Sequence, residues 1–401
     1  MFIDLTVLKV NREYRKLFLG QTVSYIGSMM TYVAIPYQVY DLTKSSFLVG
    51  LVSTIQLIPL LVFALYGGVL ADSVPRLKLL IRSEIGLFLV ALLFMTNSLM
   101  TNPSIWLLFV LAAISSALIG LHRPAMDAIV PQLVSKEHLN TVSALGSLRY
   151  AVGAVAGPAL AGILISQVGV AITYLIDAVS FLMSVFFLQQ MLPVESVKNE
   201  STTGIAAIKE GFHYAAKQPV ILGTYLVDII AMLLAFPMAL FPQIVDELNQ
   251  KSQIGYLYAA IPLGAGFVSI FSKPLDKVKR QGAGVILAAI FWGIFVAAMA
   301  FGPNVYWMAA ALFLAGAADS VSAIFRGTIW NEVIPSAIRG RLGSLNVLSY
   351  MIGPLIGNMR AGTLASATST FTSVFSGGVL CAVACIACIC HSSSKPIGEC
   401  S

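Results

Sequence analysis

The chain is 401 residues long, 58% hydrophobic and only 10% charged, with a mean hydropathy of +0.87; soluble domains carry roughly 25% charged residues, so a water-soluble fold is excluded. A membrane-crossing helix takes about 20 apolar residues, so this length holds about twelve spans and leaves no room for a soluble catalytic domain. The net charge of +6 comes from bases scattered over short loops, which suits membrane topology and offers no patch for nucleic acid.

Lys9, Arg12, Arg15 and Lys16 precede the first apolar run, and eleven more runs follow it, so it reads as an anchor and not as a cleaved signal. The runs fall at 14–40, 47–71, 78–99, 104–122, 140–166, 170–192, 219–245, 254–272, 282–302, 305–325, 342–365 and 369–391. With both termini in the cytoplasm, 20 of the 24 Lys and Arg, Arg326 among them, fall on the inner side. Lys44 and Lys251 stay outside, while Arg149 and Arg360 lie within spans. That asymmetry sets the orientation.

The longest hydrophilic stretch, 193–218, separates six spans in 1–192 from six in 219–401. The two halves repeat: Pro36, Gly50, Ile58-Pro59, Asp72, Arg123 and Pro131 recur as Pro242, Gly255, Ile261-Pro262, Asp276, Arg326 and Pro335. The expected fold is an all-α membrane protein of twelve transmembrane helices in two pseudo-symmetric six-helix bundles. Parallel repeats of this kind enclose a midplane site and rock around it, so the expected function is movement of a small solute by alternating access.

Three motifs carry a resemblance. After the second run comes Gly67-Gly68-Val69-Leu70-Ala71-Asp72-Ser73-Val74-Pro75-Arg76-Leu77-Lys78, an acid followed by bases that can pair with a neighbouring helix in one conformation and release it in another. It resembles the signature loop of the major facilitator superfamily at Gly68, Leu70, Asp72, Arg76 and Lys78, with Ser73 and Pro75 departing from it. The fifth run holds Gly153, Gly157, Pro158 and Gly162, echoed in the eleventh by Gly353, Pro354 and Gly357. Glycines four apart let helices approach closely, and the pattern resembles the glycine-proline motif of the superfamily's exporters, implying a helix pair at the interface between bundles. The stretches 254–265 and 340–346 are similar to the enterobactin-exporter branch. The resemblance implies a proton-coupled exporter of a siderophore or related metabolite in a bacterial inner membrane, acting as a monomer with protons, lipid and a small molecule as partners. Macrolide efflux or lysophospholipid transport on the same scaffold is the alternative.

Ionisable side chains inside spans are functional candidates by default. Asp228, near the middle of the seventh run, and Asp319 in the tenth are the proton-coupling candidates, because spans one, four, seven and ten line the cavity in the proteins this chain resembles. Arg149, ten residues into the fifth run, can hold an anionic substrate group or pair with an acid. Asp72, Arg76, Arg123 and Asp127 are expected to form a cytoplasmic charge network. Asp177 is expected to hydrogen-bond structurally, Glu84 to approach Arg82 or the motif loop, and Arg360 to reach toward water. The five cysteines, Cys381, Cys385, Cys388, Cys390 and Cys400, lie in the last tenth of the chain with no histidine or carboxylate inside the span to complete a metal shell. No nucleotide-binding P-loop or nucleophile-base set stands in the sequence, so neither a cofactor, an enzyme nor an ATP-driven pump is expected; a membrane-embedded enzyme or receptor is the rival of another class.

Overall fold

The computed structural model describes residues 5–192, 213, 218–334 and 339–393, and its regular elements there are helices. They are α1 (Thr6–Val10), α2 (Arg12–Thr43), α3 (Ser46–Ser73), α4 (Arg76–Leu99), α5 (Ile105–Leu133), α6 (Leu139–Val168), α7 (Val170–Gln189), α8 (Pro219–Ala235), α9 (Phe241–Glu247), α10 (Ile254–Ile270), α11 (Gln281–Met299), α12 (Val305–Val333), α13 (Arg339–Ala367) and α14 (Thr370–Ser393). Most of the expected linker at 193–218 lies outside the described residues. Among the described residues, ten helical segments are long and apolar enough to cross a membrane. The expected first and eleventh spans correspond to α2 and α13, which have the length at 32 and 29 residues.

The polarity of α2 has a packing cause. Gln21, Ser24, Thr31 and Gln38 are all buried, and they face partners: Gln21 donates to Glu84 on α4, Thr31 donates to Asp177 on α7, and Gln38 accepts from Tyr174 on α7. Polar groups satisfied between helices lower mean hydropathy without exposing anything polar to lipid. The outward faces carry the apolar load, with Leu182 and Phe186 on α7, Leu226 on α8 and Phe291 on α11 at least half exposed.

The helices form two compact units: Met1–Lys44, Thr54–Ile205 and Lys251–Gly255 make one, and Ser45–Ser53, Ala206–Gln250 and Tyr256–Ser401 the other. Each repeats the other's packing. In the first, α7 packs on α2 and α4, α4 on α5, and α2 on α6; in the second, α14 packs on α8 and α11, α11 on α12, and α8 on α13. Small residues set the close approaches. A Cβ at Gly157 of α6 would strike Met29 and come within 2.9 Å of the Ile26 carbonyl on α2, while one at Gly353 of α13 would lie 2.7 Å from Met232 on α8. Gly67 and Gly120 bring α3 against α5, as Gly264 and Gly316 bring α10 against α12.

One expected span is broken. Phe236 is extended ahead of Pro237, as the ring of a proline requires of the residue before it. A 3-10 turn at Met238–Leu240 then leads into α9. The break frees backbone groups that lipid cannot satisfy, and a side chain takes one of them: the Ala239 N–H donates to Asn358 Oδ1 on α13 at 3.0 Å.

Replacing Gly157 or Gly357 with Val should separate α6 from α2 or α13 from α8 at an overpacking cost of about 1–3 kcal/mol. A lowered melting temperature in detergent checks this, with Gly146→Ala as control: a Cβ at Gly146 meets nothing within 4 Å, so that variant should melt at or slightly above the parent.

Candidate transport site and charge network

In the second unit the two acids singled out in the sequence converge on one base. Asp228 of α8 forms an ion pair with Arg326 of α12, whose other terminal nitrogen lies 3.8 Å from Asp319 Oδ1. Asp319 and Arg326 are seven residues apart, two turns on one helical face, and helical side chains lean toward the N-terminus; Arg326 therefore reaches back along α12 toward both carboxylates. Arg326, one residue past the expected tenth run, is carried by α12, and its side chain is 16% exposed against 7% for Asp228 and 33% for Asp319. A carboxylate held away from water without a counter-charge costs several kcal/mol, and removing one partner of such a pair costs about 3–5 kcal/mol.

Asp228 and Asp319 also line a cavity of about 10 Å³ with Val227, Ala231, Ala289, Trp292 and Ser322, near the lower limit for one water molecule. Trp292, on α11, is 1% exposed and its indole N–H has no hydrogen-bond partner. Beside the acids, Trp330 donates to Thr224 Oγ1 at 3.1 Å and packs on Tyr225 with ring centroids 4.8 Å apart. These contacts tie α12 to α8 one turn beyond the ion pair.

In the first unit, Arg149 of α6 is 7% exposed. Its guanidinium lies 4.8 Å from the Tyr150 ring centroid, a cation-π distance, and Tyr150 meets the edge of Tyr25 on α2 at 4.9 Å. Arg149 Nε is buried without a hydrogen-bond partner. Asp127 feels the charges of Arg123, Arg149 and His122 together. Of the signature loop, Arg76 is buried and donates to the Ala128 carbonyl at 2.9 Å, joining α4 to α5, while Lys78 is exposed. Gly68 and Asp72 lie outside the described side chains, so the expected pairing of Asp72 with Arg123 does too. Of the glycine-proline motif, Gly153 and Gly157 seat α2, Gly353 and Gly357 seat α8, and Gly162 meets the backbone of Gly255 at the start of α10. Pro158 and Pro354 lie inside their helices without ending them.

Two further expectations change. Glu84 points away from Arg82, which is exposed, and is itself fully buried among Gln21, Ser24 and His122. Arg360 does not reach toward water: its Nε is buried without a hydrogen-bond partner, and its guanidinium packs against Gly377 on α14. Asp177 accepts from Thr31 of α2 and from the Ser180 hydroxyl. Cys381 and Cys385 are buried helix-packing residues, and Cys381 Sγ approaches the Ala289 carbonyl at 3.6 Å.

Sequence reasoning missed Arg326, His122 and Trp292. The i, i+7 spacing of Asp319 and Arg326 was the available signal for the first, and a histidine directly before Arg123 the signal for the second. Trp292 is brought to the acids by the packing of α11 on α8 and α12, which no local pattern encodes.

A family model described as transmembrane secretion effector matches residues 8–397. The enterobactin exporter EntS of Shigella boydii serotype 4 (strain Sb227) is 28% identical over 381 residues, covering 94% of this chain and 91% of that protein; EntS of Escherichia coli O1:K1 / APEC matches to the same extent. Among solved structures, a bacterial homologue of the iron transporter ferroportin in its inward-facing state is similar at a TM-score of 0.73 and 18% identity, with 94% of this chain and 98% of that one covered. The nucleoside transporter NupG follows at 0.70 and 15%, with 94% and 99% covered. These structures share the fold of this chain. The chain is a membrane transporter, not an enzyme, and belongs to the transmembrane secretion effector family of the major facilitator superfamily.

Proposed function

We propose that this chain exports a siderophore-like metabolite across a bacterial inner membrane by proton antiport, as a monomer of twelve spans with both termini in the cytoplasm and with two six-helix halves, 1–192 and 219–401, alternating access around a shared site. The observation that carries the coupling is one guanidinium shared by two acids on different helices, Asp228 on α8 and Asp319 on α12. Arginine keeps its charge at any physiological pH, so the titrating partner is a carboxylate. A proton on Asp228 neutralises it and leaves Arg326 to Asp319, which lies on Arg326's own helix. The tie between α8 and α12 then loosens, and the loss of the proton restores it. Export cargo supports the same reading through the enterobactin exporters, which are similar over nearly the whole chain.

Arg149 is the proposed anchor for an anionic group of the cargo. Its fork of donors suits two adjacent acceptors, and Tyr150 and Tyr25 beside it offer aromatic surface. Arg76, Lys78, Arg123 and Asp127, with Asp72, form the proposed cytoplasmic gate.

Three outcomes follow, each measured in proteoliposomes with enterobactin as the probe. Asp228→Asn should abolish accumulation driven by a pH gradient while exchange down a substrate gradient continues; gradient-driven transport at the parent rate would remove Asp228 from coupling. Asp228→Arg and Arg326→Asp should each be inactive, and the double swap should regain activity if the ion pair itself matters; a double variant as dead as either single one would count against it. Arg149→Ala should raise KM about ten- to a hundredfold, the loss of charge-assisted hydrogen bonds worth about 1.5–3 kcal/mol, with Arg149→Lys recovering only part; an unchanged KM would free Arg149 from the cargo.

A further inference from the structure

The first unit holds a second titratable site that the coupling acids do not include. Glu84 of α4 is fully buried. Three groups that can donate converge on a single carboxylate oxygen: Gln21 Nε2 at 2.6 Å, His122 Nε2 at 3.2 Å and Ser24 Oγ at 3.4 Å all face Oε1. The second oxygen, Oε2, is buried and has no hydrogen-bond partner among the described residues. An ionised carboxylate in such a place carries a desolvation cost of several kcal/mol that only a counter-charge or a proton removes. Among the side chains within hydrogen-bonding distance of it, the one that can carry positive charge is His122, and a histidine is charged only when protonated. The site is therefore neutral in two ways, each needing one proton: imidazolium beside carboxylate, or neutral imidazole beside a carboxyl with its proton on Oε2.

The surroundings are consistent from every helix packed against the pair. From α2 come Gln21 and Ser24, both neutral. From α7 come Ser184, which also accepts from Gln21, and Asp177, whose charge repels that of Glu84. On α5, Asp127 attracts an imidazolium at His122 and is itself balanced by Arg123 and by Arg149 of α6. On α4 itself Arg82 is exposed and turned away. His122, with 17% of its side chain exposed, is the point at which a proton on the pair can exchange with water.

We propose that Glu84 and His122 form a proton-binding site of the first unit, distinct from Asp228 and Asp319, and that whether Glu84 carries the proton sets how tightly α4 holds α2 through Gln21 and Ser24. A neutral carboxyl accepts these hydrogen bonds about half as strongly as a carboxylate does. Moving the proton from His122 to Glu84 therefore relaxes α2 without breaking its packing.

The test needs no cargo. Infrared pH titration of the purified full-length protein in lipid nanodiscs should show a carboxylic-acid C=O band that grows as pH falls and disappears in Glu84→Gln, a variant that keeps an acceptor oxygen for Gln21 and Ser24. In His122→Gln the counter-charge is lost. The same band should then move along the pH axis relative to the parent, because an adjacent charge is one of the things that sets a carboxyl group's hold on its proton. Asp228→Asn should leave the band in place, which separates this site from the proposed coupling acids. A band set identical in the parent and Glu84→Gln would overturn the proposal, as would a band that His122→Gln does not move. If Glu84→Gln fails to fold, the half-buried His122 variant decides alone.

Discussion

A charge enclosed among apolar helices has to be met by another charge, by hydrogen bonds or by a proton, because no water is at hand to do it. Arg326 meets two carboxylates, Asp177 meets two hydroxyls, and Glu84 meets an amide, a hydroxyl and an imidazole. Each of these groups joins elements distant in sequence: Asp228 and Arg326 join α8 to α12, Asp177 and Thr31 join α7 to α2, and Glu84 joins α4 to α2 and α5. The polar interior thus does two things at once. It fixes which helix faces which, and it concentrates the sites whose charge can change at the places where helices touch.

The same economy governs the apolar contacts. Since lipid is as apolar as leucine, burial alone gives little preference for one helix neighbour over another, and shape decides. Glycines supply the shape. Gly157 and Gly353 stand in equivalent places of the two units and seat α2 and α8 respectively, the helices that carry Gln21, Ser24 and Asp228. A close backbone contact therefore lies behind each charged site, and motion of α2 or α8 has to pass through it.

Much of this was legible in the sequence, for physical reasons that differ by feature. The helical segments were legible because apolar runs bounded by charge have one stable form in a bilayer. The first of them shows the limit of that reasoning: α2 is polar at Gln21, Ser24, Thr31 and Gln38 because its neighbours satisfy those groups, so hydropathy alone understates it. Asp228, Asp319 and Arg149 could be singled out because ionisable residues are rare inside apolar runs. Their partners could not, since pairing depends on packing between helices. Arg326 was counted with the inner-side bases because a base at the end of an apolar run is usually a topological signal, whereas its side chain also reaches the two acids from within α12. Glu84 was expected to approach Arg82 or the motif loop, but two residues apart on a helix means nearly opposite faces, and the imidazole that meets Glu84 comes from α5.

Trp292 gives the acid cluster an optical witness. The chain has four tryptophans, and two of them belong to this region: Trp292 lines the cavity with both carboxylates, and Trp330 packs tilted against Tyr225 of α8. Indole emission responds to the electric field at the ring, so a carboxylate that loses its charge a few ångströms away alters the light the protein gives off. The chemistry of this site can thus be followed in the unlabelled molecule.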